Sequence, residues 1–487
     1  MTIQQAGIIL VGLGPGDPEL MTRQAWQVLA SADEVYLRTR QHPAVSVLPS
    51  GVQVHSFDEL FDDEHDVGAA AGRIVEQVLS LGRRPQGVIY AVPGHPLVSE
   101  QTSAAIARRA QREGLPLQVI AGISIIDAAL AALGVDLLPH TAVVDALELA
   151  GAHVPPFSPA APAVIARLSS AALAAAVRQT LSAVYPAEQR VLLVHAPGQP
   201  EEKVEERALR EIDQSEATGP LTVLYVPALG AASSFEGFQE IIAHLRAPDG
   251  CPWDREQTHH SLRQNLLEET YELLAALDDM DPLAMREEFG DLLLQIVLHA
   301  QIAAEAGEFN INDVLHGIHT KIVRRHPHVF GDVRVEGTQG VLENWERLKE
   351  KERQAAGKPE KGLLDGVSVA LPALVQAEQY QQRAARVGFD WPEIQGVWDK
   401  VSEELEEVRQ AATPQEQEAE IGDLLFAIVN LARWLKVDSE SALRAANQRF
   451  KRRFSQIEQN ARLQGRSTAD LTLDEMEALW QKAKADD

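Results

Sequence analysis

The 487-residue sequence has a single cysteine, Cys251, so no disulfide can form within it. Aromatic residues make up only 5%. No stretch approaches the roughly 18 uninterrupted apolar residues that a membrane span needs. The apolar run Ile8–Val11 is too short for a secretory signal, and no basic region precedes it. These absences point to a reducing cytoplasm. Positive charge is also scarce: 44 Lys and Arg stand against 71 Asp and Glu, a net charge of −27. A surface so acidic repels duplex nucleic acid and anionic membranes. It can still hold a phosphate compound where a cation or a local basic strip mediates the contact.

What is present is a normal globular composition, 45% hydrophobic, in a chain long enough for roughly two to four domains. Short apolar runs alternate with helix-period segments over the first part. Ile8–Val11, Glu34–Leu37, Gly87–Val92, Leu117–Ile120, Ala163–Ala166, Val191–Val194 and Leu221–Val226 read as strands. Met21–Ser31, Ala69–Leu81 and Thr102–Glu113 read as helices between them. This alternation predicts an α/β domain over residues 1–228 with a largely parallel sheet. After Pro227 the strand pattern nearly vanishes. Gly230–Ala232 is small and flexible, and Ser233–Ser234 offers an N-cap, which places the boundary near 228–232.

The rest reads as all-α and contains a repeat. One copy runs LLEETYELLAA, REEFGDLLLQIVLHA, KIVRRHPHVF, LENWERLK; the other runs VSEELEEVRQAA, EAEIGDLLFAIVNLA, NQRFKRRF, MEALWQKAK. The order and spacing predict two related helical units, 231–352 and 362–487. The charged, Gly- and Pro-containing stretch Arg353–Lys361 suits a linker between them.

Each unit carries two carboxylate pairs at helical spacing. Glu269 and Glu272 are followed by Glu288 and Asp291; Glu404 and Glu407 are followed by Glu420 and Asp423. Residues three apart share a helix face, so two such helices lying antiparallel converge four carboxylates. Unneutralised, they repel one another; with Mg²⁺ they supply the oxygen ligands that a hard cation takes. Glu268, Glu403 and Glu287 precede three of the pairs, and Ala419 stands in the fourth such place. A solvated acidic helix face would not repeat in the same order beside Leu273–Leu274 and Leu292–Leu294. Downstream in each unit lie basic residues suited to phosphate, Lys321, Arg324 and Arg325 in one, Arg449, Lys451, Arg452 and Arg453 in the other. The alternative for these is ion pairing at a helix end. A late tryptophan follows, Trp345 or Trp480, which either stacks on a base or packs in a core.

With these motifs in duplicate, followed by RRHPHVF, residues 231–487 resemble the MazG family of nucleoside triphosphate pyrophosphohydrolases in its two-domain form. The resemblance implies a four-helix fold, usually dimeric. It implies Mg²⁺ held by Glu269, Glu272, Glu288 and Asp291, and by Glu404, Glu407, Glu420 and Asp423. It also implies hydrolysis of a nucleoside or deoxynucleoside triphosphate to the monophosphate and pyrophosphate, a nucleotide-pool housecleaning reaction. By the family's pattern the second unit is the better catalytic candidate, because Asn430 stands where the first unit has Leu298. Glu403 or a ligand glutamate is then the base. Asn430, Arg449, Arg453 and Trp480, with Lys321 and Arg325 in the first unit, contact substrate.

In the α/β part, Gly12-Leu13-Gly14-Pro15-Gly16-Asp17 follows the first strand, Pro93-Gly94-His95-Pro96 another, and Gly122-Ile123-Ser124 a third. Glycine loops at strand ends suggest a cleft at one sheet edge. In this order they resemble the tetrapyrrole methylase family, in its form fused to MazG. That implies S-adenosylmethionine held by Gly12, Gly14, Gly16, Asp17, Pro93, Gly94, His95, Gly122 and Ser124. His95 stands where the family has Asp, and Ile125 where it has a second Ser, which argues against methyl transfer.

The histidines His259–His260 and His326–His328 lack structural-zinc spacing and a thiol partner; HPHVF reads as a helix end, broken by Pro327. Trp253-Asp254 and Phe389-Asp390-Trp391 read as packing before the acidic helix, with a base pocket as the alternative. Two further readings of the whole chain compete: a methyltransferase whose helical half serves oligomerisation, and a non-catalytic sensor of nucleotide or S-adenosylmethionine.

Overall fold

The computed structural model describes residues 7–62, 67–335, 337–355 and 362–485. It parts into two compact units, Met1–Cys251 and Pro252–Asp487. In the first, β1 (Ile8–Gly12), α1 (Arg23–Ala30), β2 (Glu34–Leu37), β3 (Gln53–Ser56), α2 (Glu59–Asp62), α3 (Val67–Gly82), β4 (Val88–Val92), α4 (Gln101–Glu113) and β5 (Leu117–Ile120) form one lobe. Its sheet has the order β3-β2-β4-β1-β5 and is parallel throughout. Both faces are covered, so successive residues of β1 enter alternate cores. Ile8 and Leu10 pack with Ile74, Tyr90 and Ile106; Val11 packs with Leu13, Leu29 and Ala91.

Then follow α5 (Ile125–Leu133), β6 (Ala142–Asp145), α6 (Ala146–Ala150), β7 (Ala163–Ala166), α7 (Ala171–Leu181), β8 (Arg190–His195), β9 (Lys203–Ala208) and β10 (Val223–Val226). These build a second sheet, β6-β7-β10-β8-β9. Here the structure departs from the expected largely parallel sheet, because there are two sheets and the second is mixed. Only β6 and β7 are parallel; the pairs around β10 and β8 are antiparallel. The connection from β8 to β9 is too short for a crossover, so β9 returns as a hairpin partner. Ile165, Val177, Leu193 and Leu224 fill its core.

The expected boundary at 228–232 lies before α8 (Phe235–Arg246), whereas the compact units part after it. Ser234 caps this helix by accepting from the Gly237 N–H. Gly237 lies against the Ala231 carbonyl so closely that a Cβ there would sit 2.2 Å from it, which fastens α8 to the turn before it.

Among its described residues the second unit is entirely helical: α9 (Pro252–Glu256), α10 (Arg263–Asp278), α11 (Pro282–Glu305), α12 (Ile311–Arg325), α13 (Pro327–Phe330), α14 (Gly337–Ala355), α15 (Ala373–Arg386), α16 (Ile394–Gln410), α17 (Pro414–Trp434), α18 (Ser439–Leu463) and α19 (Leu473–Ala485). Pro327 ends α12 as the sequence predicted. The proposed linker begins inside α14, and its residues 356–361 lie outside the described residues. The two repeats share one compact body: Arg444 on α18 pairs with Asp278 on α10 at 3.0 Å.

Candidate active site

The second repeat's carboxylates stand on a helical hairpin. Ala411–Thr413 joins α16 to α17 and turns the chain back on itself. Thr413 accepts from the Glu416 N–H while the Glu416 carboxylate accepts from the Thr413 N–H, and Pro414 occupies the first turn. This capping box fixes where α17 starts, and therefore the phase of Glu420 and Asp423. Glu404, Glu407 and Glu420 offer carboxylate oxygens that all lie within 4.8 Å of one another. Glu404 is buried. The first repeat forms the same arrangement on α10 and α11 with Glu269, Glu272 and Glu288.

The electrostatics of both clusters are those of crowded anions. Desolvation, and then Asp291, Glu272 and Glu288, raise the Glu269 carboxyl above its ordinary value. Glu288 is raised by desolvation and by Glu272 and Asp291. Glu407 is raised by desolvation and by Glu404 and Glu420, against an opposing pull from Lys400. Hard oxygen donors that resist ionisation next to one another fit a divalent cation. Asp423 lies in the wall of the adjoining cavity, and Asp291 is a charged neighbour of Glu269.

That cavity, of about 650 Å³, is lined by Lys400, Glu404 and Asp423 and by the aromatic residues Tyr380, Phe389, Trp391 and Phe426. Lys400 was not singled out from the sequence. Its Nζ lies 2.8 Å from Glu403 and 2.7 Å from Glu404. Hydrogen bonds to these two carboxylates hold its pKa well above the usual lysine value. Only its spacing ahead of Glu404 could have marked it. Glu403, a candidate base, is thus an ion-pair partner of Lys400 on the exposed side of α16.

Phe389, Asp390 and Trp391, read from the sequence as packing with a base pocket as the alternative, all line the cavity. Trp391 also packs on Gly396, where a Cβ would meet its ring at 2.6 Å. Asp390 Oδ1 accepts from Arg433 Nη2 at 2.6 Å, from Trp434 Nε1 at 3.2 Å and from the Trp391 N–H at 2.9 Å. Burial opposes its charge, but these bonds outweigh it and leave its pKa below the ordinary range.

The expected substrate contacts divide between the cavity and other surfaces. Asn430 lines the cavity; Arg449, Arg453 and Trp480 do not. Trp480 packs on Phe450, with ring centroids 5.3 Å apart, and Arg453 stacks over Trp480 at 5.7 Å. In the first repeat, Arg325 pairs with Glu352 at 2.7 Å and stacks over Trp345 at 5.7 Å, while Lys321 is exposed on α12. Arg325 and Arg453 thus face aromatic rings, while Lys321 and Arg449 are exposed.

The glycine loops of the first unit do come together, but onto one another. The Gly14 N–H donates to the Gly94 carbonyl and the Gly94 N–H to the Gly14 carbonyl. A Cβ on Gly12 would meet Gly94 O at 2.5 Å and Gly122 N at 2.6 Å. The Asp17 N–H donates to Gly198, and Gln199 lies over Gly16. His95 Nδ1 accepts from the Leu97 N–H. Ser124 is buried as the cap of α5, exchanging hydrogen bonds with Asp127. The chain itself fills the space over Gly16 and pairs the Gly14, Gly94 and Asp17 amides. Gly12, Gly94 and Gly122, three of the residues expected to hold S-adenosylmethionine, thus lie side by side.

Comparison with known proteins accords with this architecture. The family model for Tetrapyrrole (Corrin/Porphyrin) Methylases matches residues 7–213, and that for the MazG nucleotide pyrophosphohydrolase domain matches residues 257–330. The uncharacterized protein YabN of Bacillus subtilis is 40% identical over 486 residues, covering 98% of each chain. The nucleoside triphosphate pyrophosphohydrolase/pyrophosphatase MazG of Thermotoga maritima is 45% identical over 254 residues, covering 52% of this chain and 96% of the relative. Among solved structures, the uroporphyrin-III-C-methyltransferase of Thermus thermophilus aligns with 46% of this chain and 93% of its own, at 24% identity and a TM-score of 0.36.

Proposed function

We infer, since the chain belongs to the MazG family and carries a tetrapyrrole methylase domain ahead of it, that it hydrolyses nucleoside triphosphates to monophosphate and pyrophosphate. The observation that carries the reading is the Glu404–Glu407–Glu420 cluster beside a cavity whose lining joins Lys400, Glu404 and Asp423 to four aromatic residues. A nucleotide combines an anionic metal-binding tail with a flat apolar head. The curated MazG relative of Thermotoga maritima is named for this chemistry.

Magnesium held by Glu404, Glu407, Glu420 and Asp423 would neutralise phosphate charge and lower the pKa of a bound water. The chain's own residues do the rest. Lys400 places a fixed positive charge beside the carboxylates, where charge builds on the leaving pyrophosphate. Its pairing with Glu403 and Glu404 keeps it protonated. An unpaired carboxylate of the cluster, or Glu403 once Lys400 turns to the substrate, takes the proton of the attacking water. Glu269, Glu272, Glu288 and Asp291 form a second set of ligands in the first repeat. Exposed apolar positions on α17 support a homodimer, the assembly that the family resemblance implies.

The test is release of pyrophosphate from a panel of ribo- and deoxyribonucleoside triphosphates with Mg²⁺. The full chain releases pyrophosphate and monophosphate. Glu404→Gln combined with Glu407→Gln lowers kcat by at least about a hundredfold. Unchanged turnover in that variant would assign the chemistry to the first repeat, and orthophosphate as the primary product would overturn the reading.

A further inference from the structure

The first repeat's hairpin of α10 and α11 is closed at one end by the turn at 279–281 and carries Glu269, Glu272, Glu288 and Asp291 along its length. At its other end two histidines meet. His259 stands just before α10, on a turn shaped by Thr258 and Ser261. The Thr258 N–H donates to Ser261 Oγ at 2.9 Å, and the Ser261 N–H to Thr258 Oγ1 at 3.1 Å. His299 lies in the C-terminal part of α11. The two Nδ1 atoms are 2.8 Å apart. The rings are 7° from parallel, with centroids 5.1 Å apart. The centroids are thus further apart than the nitrogens by about one ring width, so the rings lie edge to edge in nearly one plane, the geometry of an N–H···N bond. Two nitrogens bound to one tetrahedral Zn²⁺ at about 2.0–2.1 Å each would stand more than about 3 Å apart and would need further ligands. Neither cluster of described residues able to hold a metal includes this pair. What the two rings share is a proton.

A bond between two Nδ1 atoms needs one protonated and one bare nitrogen. The neutral pair meets that condition, and so does a pair with one extra proton, which enters at Nε2. A second extra proton leaves two N–H groups and two positive charges facing each other, so the bond breaks. Burial and the charge of His259 both lower the pKa of His299. No carboxylate or cation of α10 or α12, the helices packed against α11, is among its causes. The second repeat closes the same end of its hairpin differently. Asp390 stands as far before α16 as His259 does before α10, and it accepts from Arg433 and Trp434 at the end of α17. A carboxylate and a guanidinium both stay charged through the neutral range.

We propose that His259 and His299 form a proton-operated clasp on the first carboxylate hairpin, closed at neutral pH and opened by acid, whereas the Asp390–Arg433 clasp of the second hairpin stays closed. Both histidines are positioning residues: they hold α10 beside α11, so that Glu269 and Glu272 face Glu288 and Asp291. Acid therefore disables the first repeat's carboxylate site before the second's. The consequence for metal rests on the ligand reading of these carboxylates; the clasp does not.

The test uses the full chain carrying Glu404→Gln and Glu407→Gln, which leaves the first repeat's ligands as the intact set. Hydrogen exchange of α10 is followed by mass spectrometry at about pH 7.5 and about pH 5.5, with rates referred to the unstructured peptide at each pH. Mn²⁺ affinity is measured in the same samples by electron paramagnetic resonance. Protection at the start of α10 drops at least about tenfold as pH falls, the worth of one hydrogen bond, and Mn²⁺ affinity drops with it. His299→Asn puts an amide where Nδ1 was. An amide accepts from His259 or donates to it, so the bond survives protonation and protection holds at both pH values. Mn²⁺ affinity, which also feels the carboxylates' own protons, falls less in His299→Asn than in its parent. His299→Leu removes the partner, and protection is low at both pH values. An equal drop in the parent and in His299→Asn, or full protection in His299→Leu at about pH 7.5, overturns the clasp. Protection that follows the expected pattern while Mn²⁺ binds none of the variants upholds the clasp and removes the metal reading of the first repeat instead.

Discussion

His195 illustrates how single residues set the acid limit of the first unit. It is buried at the end of β8, with Nδ1 3.1 Å from Thr222 Oγ1 and Nε2 3.2 Å from Glu205. Desolvation lowers its pKa, outweighing the pull of Glu205. Glu205, in turn, is brought down to about 2 by hydrogen bonds from Ser215 and Arg207. Between the ordinary imidazole value of about 6.5 and the lower folded value, the unfolded chain binds a proton that the folded chain does not, so stability falls as pH falls. Glu205 stays ionised through that window. The urea midpoint of wild-type protein therefore drops between about pH 7.5 and 5.5, and His195→Gln, which keeps an amide for both partners, flattens the drop. A variant with the wild-type slope would clear His195 of this role. At the same scale, the carboxylates were readable because i and i+3 place two residues on one face of a helix. Gln381, Lys400 and Arg433 were not, since an amide or a cation on a helix looks alike in sequence whether it meets a cavity or water.

At the scale of elements, the strands of the first sheet were legible because burial on both faces demands continuous apolar runs. The strands β3, QVHS, β6, AVVD, and β9, KVEERA, were missed. All three lie at sheet edges, and β3 and β9 are mostly polar. The glycine loops were legible as special backbone: Gly12 and Gly122 are small so that three loops can touch. The helical hairpins carry a pH-dependent expectation of their own. Glu269, Glu288 and Glu407 have raised pKa values, first from desolvation and then from their neighbours. As pH falls through those raised values the carboxyls take protons, and Mg²⁺ must displace them to bind. The rise in Tm produced by Mg²⁺ is accordingly larger at about pH 7.5 than at about pH 5. An equal rise at both would mean that the metal binds elsewhere.

At the scale of the whole molecule, a stripe of apolar side chains on α17 remains uncovered. Ile421, Leu425 and Ile428 recur at helical spacing and are all more than two-fifths exposed. A homodimer that buries this stripe gives twice the 53.2 kDa chain mass by light scattering, and Leu425→Asp with Ile428→Asp gives the monomer. A double variant that stays dimeric would place the interface elsewhere. No helix among the described residues is long and apolar enough to cross a membrane. The sequence by itself determined the classes of the two halves, the duplication and the carboxylate spacing, because each depends on local periodicity. Tertiary structure alone decided which basic and aromatic residues face the carboxylates. Arg453 and Trp480 stack on each other and Arg449 is exposed on α18, whereas Lys400, Asp390, Gln381 and Arg433 line the cavity. That choice depends on how α15 and α16 lie against α17, a relation between segments distant in the chain that no short-range pattern encodes.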